Sequence, residues 1–503
     1  MCSKSKKHIF GRIILFLFLA LGIIALLSAH WYTKIYGDVG FDAVMFTLFT
    51  DMGSVESGIV SDYLINSLLP SVVLLLLIYA IIFFIPLPRK KRQEKNRFSL
   101  LPYWLSVLIS VFVSVTLFIT ATFHSGLSNW VFNNVKRTDI YEEQYIAPKD
   151  TKITFPESKR NLVYIYLESM ETTFFSKSLG GALETTVIPE LYNLASQNTN
   201  LSQNNSVGGA RTVSGATWTV GAMVAHTSGL PLKLPVGIDG NSFSEYFDEF
   251  LPGVTTINDI LSDEGYNQVL MFGSDSEYGG RKFYFEQHGI DKILDLYTAY
   301  DDGVVPNGYW KWWGFEDKHL YKYAKDELKE LSKQNKPFSF TMLTADTHHI
   351  GGYKCDLCDS RFEENYENVY SCASRQLYEF IDWLQKQDFY DDTTIIITGD
   401  HYSMDDGYMQ RNTEAGFTRR VYNCIINPAV SDENTKNRDF TTLDMFPTTL
   451  AAMGCDIEGE RLGLGTNLFS TTPTLSEKYG YDNFNSELAL TSSYYNKEFL
   501  KLR

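Results

Sequence analysis

An α/β domain built on a mostly parallel sheet, carried behind three membrane-spanning helices, is the fold class this sequence predicts. Three long apolar runs occupy the first quarter of the chain. Beyond residue 161, short apolar and β-branched runs alternate with amphipathic segments. The residues able to do chemistry fall just past the ends of those apolar runs, where an open α/β sheet collects its site.

Residues 13–29, 64–85 and 105–123 are the apolar runs, and each approaches the ~20 residues that span a bilayer. The first follows a basic head of Lys4, Lys6, Lys7 and Arg12. Ser28-Ala29-His30 is a poor cleavage site and two more spans follow, so we read the run as a retained helix. A second basic cluster, Arg89-Lys90-Lys91-Arg92 with Lys95 and Arg97, separates the second and third runs. Both clusters belong on the cytoplasmic side, and three crossings then export everything after residue 124. A formal net charge of -16 over 503 residues argues against nucleic acid as a partner. Residues 124–160 are polar, with Pro148 and Pro156, and read as a linker; the catalytic domain is expected over 161–475, followed by a C-terminal extension over 476–503.

Within the exported domain, Leu162-Val-Tyr-Ile-Tyr-Leu167 is a strand ending at Glu168. A helix over 257–264 precedes the strand Val269-Leu-Met-Phe272, which ends at Gly273 and Asp275. Residues 317–331 repeat apolar positions at helical spacing and feed the strand Phe338-Ser-Phe-Thr-Met-Leu343, which leads into Asp346-Thr347-His348-His349. An amphipathic helix over 374–387 delivers the chain to Thr394-Ile-Ile-Ile-Thr398, which breaks at Gly399-Asp400-His401. A strand over 421–426 and a helix over 444–453 follow. Glu168, Asp275, His348, Asp400 and His401 thus sit at strand ends that share one edge of a parallel sheet. Each alone reads as a cap or a turn residue; together they suggest a site.

A carboxylate, an Asp-His pair and a hydroxyl nucleophile suit a metal-activated centre. Hard oxygen ligands with one imidazole fit Mn²⁺ or Mg²⁺, with Zn²⁺ an alternative. The hydroxyls lie in Gly208-Gly-Ala-Arg-Thr212-Val-Ser-Gly-Ala-Thr217-Trp-Thr219, a loop entering a helix. One of them could equally be an N-cap, and a helix start also suits a phosphate. Of the 6 cysteines, Cys355, Cys358, Cys372, Cys424 and Cys455 lie in the exported part. Cys355-Asp-Leu-Cys358 with Cys372 resembles half of a zinc site, but no fourth ligand stands at a matching spacing. For an exported domain the expectation is a disulfide among these three.

Tyr164-Ile-Tyr-Leu-Glu168-Ser, the Thr-rich helix start, Thr347-His348-His349 and Gly399-Asp400-His401-Tyr402 resemble the sulfatase-like phosphoglycerol transferases, which include the lipoteichoic acid synthases and the membrane enzymes that decorate periplasmic glucans. Asp444-Met-Phe-Pro447-Thr448 and Arg461-Leu-Gly-Leu-Gly465-Thr-Asn-Leu-Phe469 look like the closing motifs of the wider alkaline-phosphatase superfamily. The resemblance covers residues 160–470 and implies an alkaline-phosphatase/sulfatase-like sheet with helices on both faces. It implies that Glu168, Asp400, His401 and a threonine bind one divalent metal, Mn²⁺ first. It also implies that His348, Arg281 and Asp275 bind the substrate. Where the synthases carry a tryptophan two residues before that arginine, Gly279 stands here. Thr217 is the expected nucleophile from its distance to Thr227-Ser-Gly-Leu-Pro231; Thr212 would require a longer insertion and Thr219 a shorter helix. No Cys/Ser-x-Pro-x-Arg motif occurs at this position, which argues against a true sulfatase. The implied reaction moves phosphoglycerol from phosphatidylglycerol to a glycan or a glycerol-phosphate polymer, outside a bacterial cytoplasmic membrane. The alternatives are a phosphoethanolamine transferase, a phosphodiesterase, or an inactive membrane-tethered binding protein.

Overall fold

The computed structural model describes residues 2–36, 57–84, 103–235 and 247–502. The chain divides into two compact units, a helical one over most of residues 1–132 and a globular one over 133–503. In the first, α1 (Cys2–Tyr36), α2 (Ser57–Tyr63), α3 (Leu69–Phe84) and α4 (Tyr103–His124) follow one another, with a single π-type turn at Leu64–Leu68 joining α2 to α3. Three helical stretches, Phe16–Lys34, Val60–Ile78 and Val107–His124, are long and apolar enough to cross a membrane. Leu21, Leu76 and Phe112 point outward, as lipid-facing side chains would. Asp62 is matched within this unit: it accepts from the Trp31 indole at 2.7 Å and from Asn66 at 2.6 Å, as a carboxylate near hydrocarbon requires. The basic cluster from Arg89 to Arg97 lies outside the described residues.

The globular unit is organised on one seven-stranded sheet. In chain order its elements are β1 (Asn161–Leu167), α5 (Pro189–Gln197), β2 (Gly209–Ala210), α6 (Thr219–Ser228), α7 (Ile257–Asp263), β3 (Asn267–Phe272), α8 (Arg281–Gln287), β4 (Lys292–Leu294), α9 (Asp317–Ser332), β5 (Phe338–Leu343), α10 (Asn365–Leu384), β6 (Thr393–Gly399), β7 (Val421–Ile426), α11 (Met445–Ala452) and α12 (Tyr481–Ala489). The strand order is β2-β7-β6-β1-β5-β3-β4. The five strands β6, β1, β5, β3 and β4 are parallel; β7 runs antiparallel beside β6, and β2 pairs antiparallel with β7 at the edge. The central strands are buried on both faces, hence their continuous apolar runs. Val163, Ile165, Met271, Phe340 and Ile397 pack with Leu191 of α5, Leu328 of α9 and Phe380 of α10. On the opposite face Tyr164 bonds His226 of α6 at 2.9 Å, and Thr394 donates to the Ala452 carbonyl of α11 at 3.3 Å.

Strand register sets up the site. Leu167 pairs with Gly399, and Tyr166 with both Leu343 and Thr398. The residues that follow, Glu168, Thr344 and Asp400, therefore emerge level with one another. Gly399 reads from sequence as a turn residue; it is instead the last residue of β6, and a Cβ there would lie 2.0 Å from the Met170 carbonyl oxygen. The glycine lets two backbones close so that the two strand ends can meet.

Three further differences from expectation concern boundaries. Of the expected linker over 124–160, residues 133–160 fold into the globular unit: Ile153–Thr154 pairs antiparallel with Asp456–Ile457, and the buried Tyr141 hydroxyl donates to the Leu488 carbonyl at 2.8 Å. Residues 476–503 likewise contribute core through Phe484 and Leu488 of α12, and Tyr481 donates to the Thr212 carbonyl at 2.8 Å. Helix α10 begins nine residues before its expected start, because Tyr366 and Tyr370 extend the apolar stripe N-terminally. The two closing motifs meet each other: Asp444 accepts from the amides of Thr441 and Thr466, both at 2.8 Å.

Candidate active site

Glu168, Asp400 and His401 converge at the ends of β1 and β6, all buried, with one ligand atom from each within 4.8 Å of the others. His401 Nε2 lies 3.3 Å from Asp400 Oδ2 and 3.6 Å from Glu168 Oε1. His401 Nδ1 is 2.8 Å from the Tyr402 carbonyl. That carbonyl can only accept, so the ring proton is assigned to Nδ1, and Nε2 turns its lone pair toward the carboxylates. Asp400 Oδ1 accepts from the amides of Ser169 and His401, both at 2.8 Å. The first of these bonds depends on Ser169 holding a left-handed φ of 56° immediately after Glu168.

Electrostatically the cluster is incomplete. Burial pushes the Asp400 carboxyl up to about 7, with the Glu168 charge adding to the effect and His401 and two amides opposing it. Burial works against the charged His401 imidazole, yet the two carboxylates outweigh it and raise its pKa. Asp400 Oδ2 is buried and makes no hydrogen bond, an arrangement that costs free energy unless something cationic faces it. Two carboxylates, one imidazole lone pair and an unsatisfied oxygen fit a divalent cation with hard-to-borderline ligand preference.

The hydroxyl that joins this cluster is Thr219, the first residue of α6. Its Oγ1 lies 3.3 Å from Glu168 Oε2 and 3.3 Å from His401 Nε2. Thr217, the expected nucleophile, sits in the bend two residues before the helix. Thr212 is buried farther upstream, its amide facing the Tyr402 hydroxyl at 3.2 Å. The reason is helix length. Trp218 is extended at φ -139° and ψ 161°, so α6 starts at Thr219 and spans only ten residues before Gly229 ends it. A longer helix would have brought Thr217 to this place.

The residues expected to bind substrate fall on the loops around the cluster. Arg281 is buried at the start of α8, donating to the Tyr278 carbonyl, to Ser274 and to the Asp275 carbonyl. Burial pushes its guanidinium down to about 10; Tyr278, Asp275, Glu168 and Asp295 act against that, and the group stays charged at neutral pH. The Asp275 carboxylate caps a turn, accepting from the Glu277 amide at 2.9 Å and from Tyr297 at 3.3 Å, and is not one of the clustered groups Glu168, Asp400 and His401. His348 stands past β5 with Nδ1 2.7 Å from the His349 carbonyl. His349 is buried, and burial with His348 and His401 nearby holds it far below the usual histidine range.

Sequence reasoning missed three contributors. Trp313 lies 4.5 Å from the His348 ring and 5.7 Å from the Tyr278 ring, measured between centroids. It supplies an indole on the side where Gly279 left none. Gly279 itself has φ 72°, which a tryptophan at that position would adopt only under strain. The other two are Glu171 and Arg419. Buried Glu171 accepts from the Ser403 amide at 2.7 Å and from Arg419 Nε at 2.9 Å, and Arg419 also donates to the Ser403 carbonyl. This pair clamps the turn that carries His401. Arg419→Met is expected to destabilise the globular unit by about 3 kcal/mol, since it leaves a buried carboxylate without its counter-charge. Chemical denaturation followed by tryptophan fluorescence reads this, and an unchanged midpoint would remove the clamp from the account.

A sulfatase family model matches residues 160–455. The chain belongs to the sulfatase family. Phosphoglycerol transferase I of Xanthomonas campestris pv. campestris is 30% identical over 254 residues, which is 49% of this chain and 34% of that protein. Phosphoglycerol transferase I of Escherichia coli is 28% identical over 332 residues, 64% of this chain and 40% of that protein. The chain therefore spans well under half the length of these relatives. Among solved structures, the integral membrane lipooligosaccharide phosphoethanolamine transferase A of Neisseria meningitidis aligns over 88% of this chain and 84% of its own, with a TM-score of 0.50 and 12% identity. That likeness shows the fold. Family membership sets the architecture, and the chemistry rests on the site.

Proposed function

We propose that this chain is a membrane-anchored transferase that moves phosphoglycerol from phosphatidylglycerol, by way of an ester on Thr219, to a hydroxyl of a glycan or glycerol-phosphate polymer. The observation that carries the reading is the Thr219 hydroxyl at 3.3 Å from both Glu168 and His401. The names of the sulfatase-family relatives, phosphoglycerol transferase I, agree with it. The three membrane-compatible helices suit a lipid donor, because anchoring raises the effective concentration of a substrate confined to the bilayer.

A divalent cation held by Glu168, Thr219, Asp400 and His401, Mn²⁺ in this reading, would favour the deprotonated Thr219 hydroxyl and offset charge on the phosphoryl oxygens. The chain's own residues supply the rest. Thr219 Oγ1 forms a bond to phosphorus as the ester bond to the diacylglycerol oxygen breaks, and diacylglycerol leaves with a proton. An acceptor hydroxyl then attacks the same phosphorus, the bond from phosphorus to Thr219 Oγ1 breaks, and the acceptor's proton ends on Thr219, which regains its hydroxyl. The N-terminus of α6 presents its amides to the phosphate, and Arg281 adds a fixed positive charge. His348, with its Nδ1 proton on the His349 carbonyl, and the Trp313 ring beside it form the wall against which the glycerol packs. The catalytic unit works on the outer side of the cytoplasmic membrane.

Full-length protein in detergent, supplied with Mn²⁺ and labelled phosphatidylglycerol, is expected to release diacylglycerol. Phosphatidylethanolamine is expected to serve at least about tenfold less well, the low end of what a mismatched group costs in a shaped pocket. Equal turnover of both lipids, or turnover of phosphatidylethanolamine alone, would assign the chain to phosphoethanolamine transfer.

A further inference from the structure

Outside the candidate active site, Cys355, Cys358 and Cys372 bring their sulfurs together, all within 4.8 Å of one another. Cys355 Sγ lies 3.5 Å from Cys358 Sγ and 3.9 Å from Cys372 Sγ. A tetrahedral ion with ~2.3 Å bonds to sulfur has edges of about 3.8 Å, so this triangle matches one face of such a site. A disulfide would join two of the sulfurs and leave the third thiol unused beside it. One further group points to a cation. Gln376, one turn after Cys372 on α10, is 8% exposed; its amide nitrogen is 3.5 Å from Cys372 Sγ, while its Oε1 is buried with no hydrogen-bond partner. The two ends of an amide interchange by a half-turn, which would put that oxygen in the nitrogen's place, 3.5 Å from Cys372 Sγ.

We propose that Cys355, Cys358 and Cys372, with the Gln376 side-chain oxygen, hold a structural zinc ion. The sequence expectation of a disulfide is thereby replaced, and the fourth ligand escapes a spacing search because it is a glutamine on the same helix face as Cys372. Binding displaces three thiol protons to solvent and leaves no redox step. Thiolates select a zinc-class ion, whereas the Glu168, Asp400 and His401 set favours a harder one, so the two sites load independently. The zinc ties the loop leaving His348 to α10. That helix also donates from Tyr366 to the Thr347 carbonyl at 3.0 Å and from Tyr370 to the Ser169 carbonyl at 2.8 Å. The staple therefore steadies the loop that carries His348 against the strand end that carries Glu168.

The test uses full-length protein in detergent, purified under reducing conditions, stripped of metal and titrated with Co²⁺. A near-ultraviolet sulfur-to-cobalt charge-transfer band is expected to saturate at one equivalent and to be displaced by Zn²⁺. An oxygen and imidazole site cannot produce that band. It is expected to survive in Asp400→Asn and to vanish in Cys372→Ser, and Gln376→Leu is expected to weaken cobalt binding by about tenfold or more. Unchanged affinity in Gln376→Leu would overturn the fourth ligand. Should Cys372→Ser fail to fold, the native chain decides by itself. Absence of the band with all three thiols reactive, or a disulfide between any two of them in protein isolated from its membrane, would overturn the proposal.

Discussion

Thr219→Ala is expected to lower diacylglycerol release by about 10³-fold or more, the scale seen when a nucleophile that acts as part of a unit is removed. Thr217→Ala is expected to retain activity within about threefold, because its side chain lies before the helix and outside the cluster. The pair of variants separates the two threonines by position alone. Thr219 is the first residue of α6, where alanine is a good helix former, so the loss should come without a fall in melting temperature. Mass spectrometry after rapid acid quench adds a direct readout. The native chain should carry one phosphoglycerol adduct on the peptide containing Thr219, and Thr219→Ala should carry none. Thr219→Ser should keep partial activity, since the hydroxyl remains and only the methyl group that restricts its rotamer is lost. An inactive Thr217→Ala with a fully active Thr219→Ala would overturn the assignment.

The sequence pointed to Thr217, whereas the structure brings the Thr219 hydroxyl to Glu168 and His401. Glu168 and Asp400 were legible because each ends an apolar strand, and strand ends in a parallel sheet share an edge. The register that pairs Leu167 with Gly399 then fixes their adjacency. Thr219 lies instead at a helix start, so its distance from the active centre depends on where that helix begins. No periodicity marks that start: the helix interior from Val220 to Ser228 is buried all round, so it carries no polar stripe to count from. Trp313 was hidden for a related reason. Its loop between β4 and α9 reaches the His348 ring only through the fold, and only a missing tryptophan at Gly279 hinted that some other residue must fill the space. Glu171 and Arg419 are separated by 248 positions, and neither stands in a motif. Residues 133–160 read as a linker because polar residues outnumber apolar ones there. Among its scattered apolar residues, Ile140 and Tyr141 become buried while Val135 stays exposed.

Asp400→Asn is expected to change stability in opposite directions with and without metal. Asp400 Oδ2 is buried, makes no hydrogen bond and lies 3.3 Å from His401 Nε2. An asparagine keeps a carbonyl oxygen for the amides of Ser169 and His401 and turns an N–H donor toward the imidazole lone pair. It also removes one of two buried negative charges. The metal-free variant should therefore melt no lower than the native chain, and by the same physics that makes unpaired buried charge costly it should melt higher. Adding Mn²⁺ reverses the order. A ligand at one hundred times its dissociation constant stabilises the folded state by about 2.7 kcal/mol, and the native chain should show that rise. In Asp400→Asn an anionic ligand has become a neutral one. Even outer-shell changes weaken metal binding by 10–100-fold, so the loss here should reach about 100-fold or more and abolish the thermal response at the same Mn²⁺ concentration. Activity should fall in step with metal occupancy. Melting curves in chelator and in Mn²⁺, run side by side on both chains, give the four values needed. A native chain indifferent to every divalent cation tested would mean that Glu168, Asp400 and His401 are a buried ionic cluster and not a metal site, and the transfer mechanism built on Thr219 would fall with it.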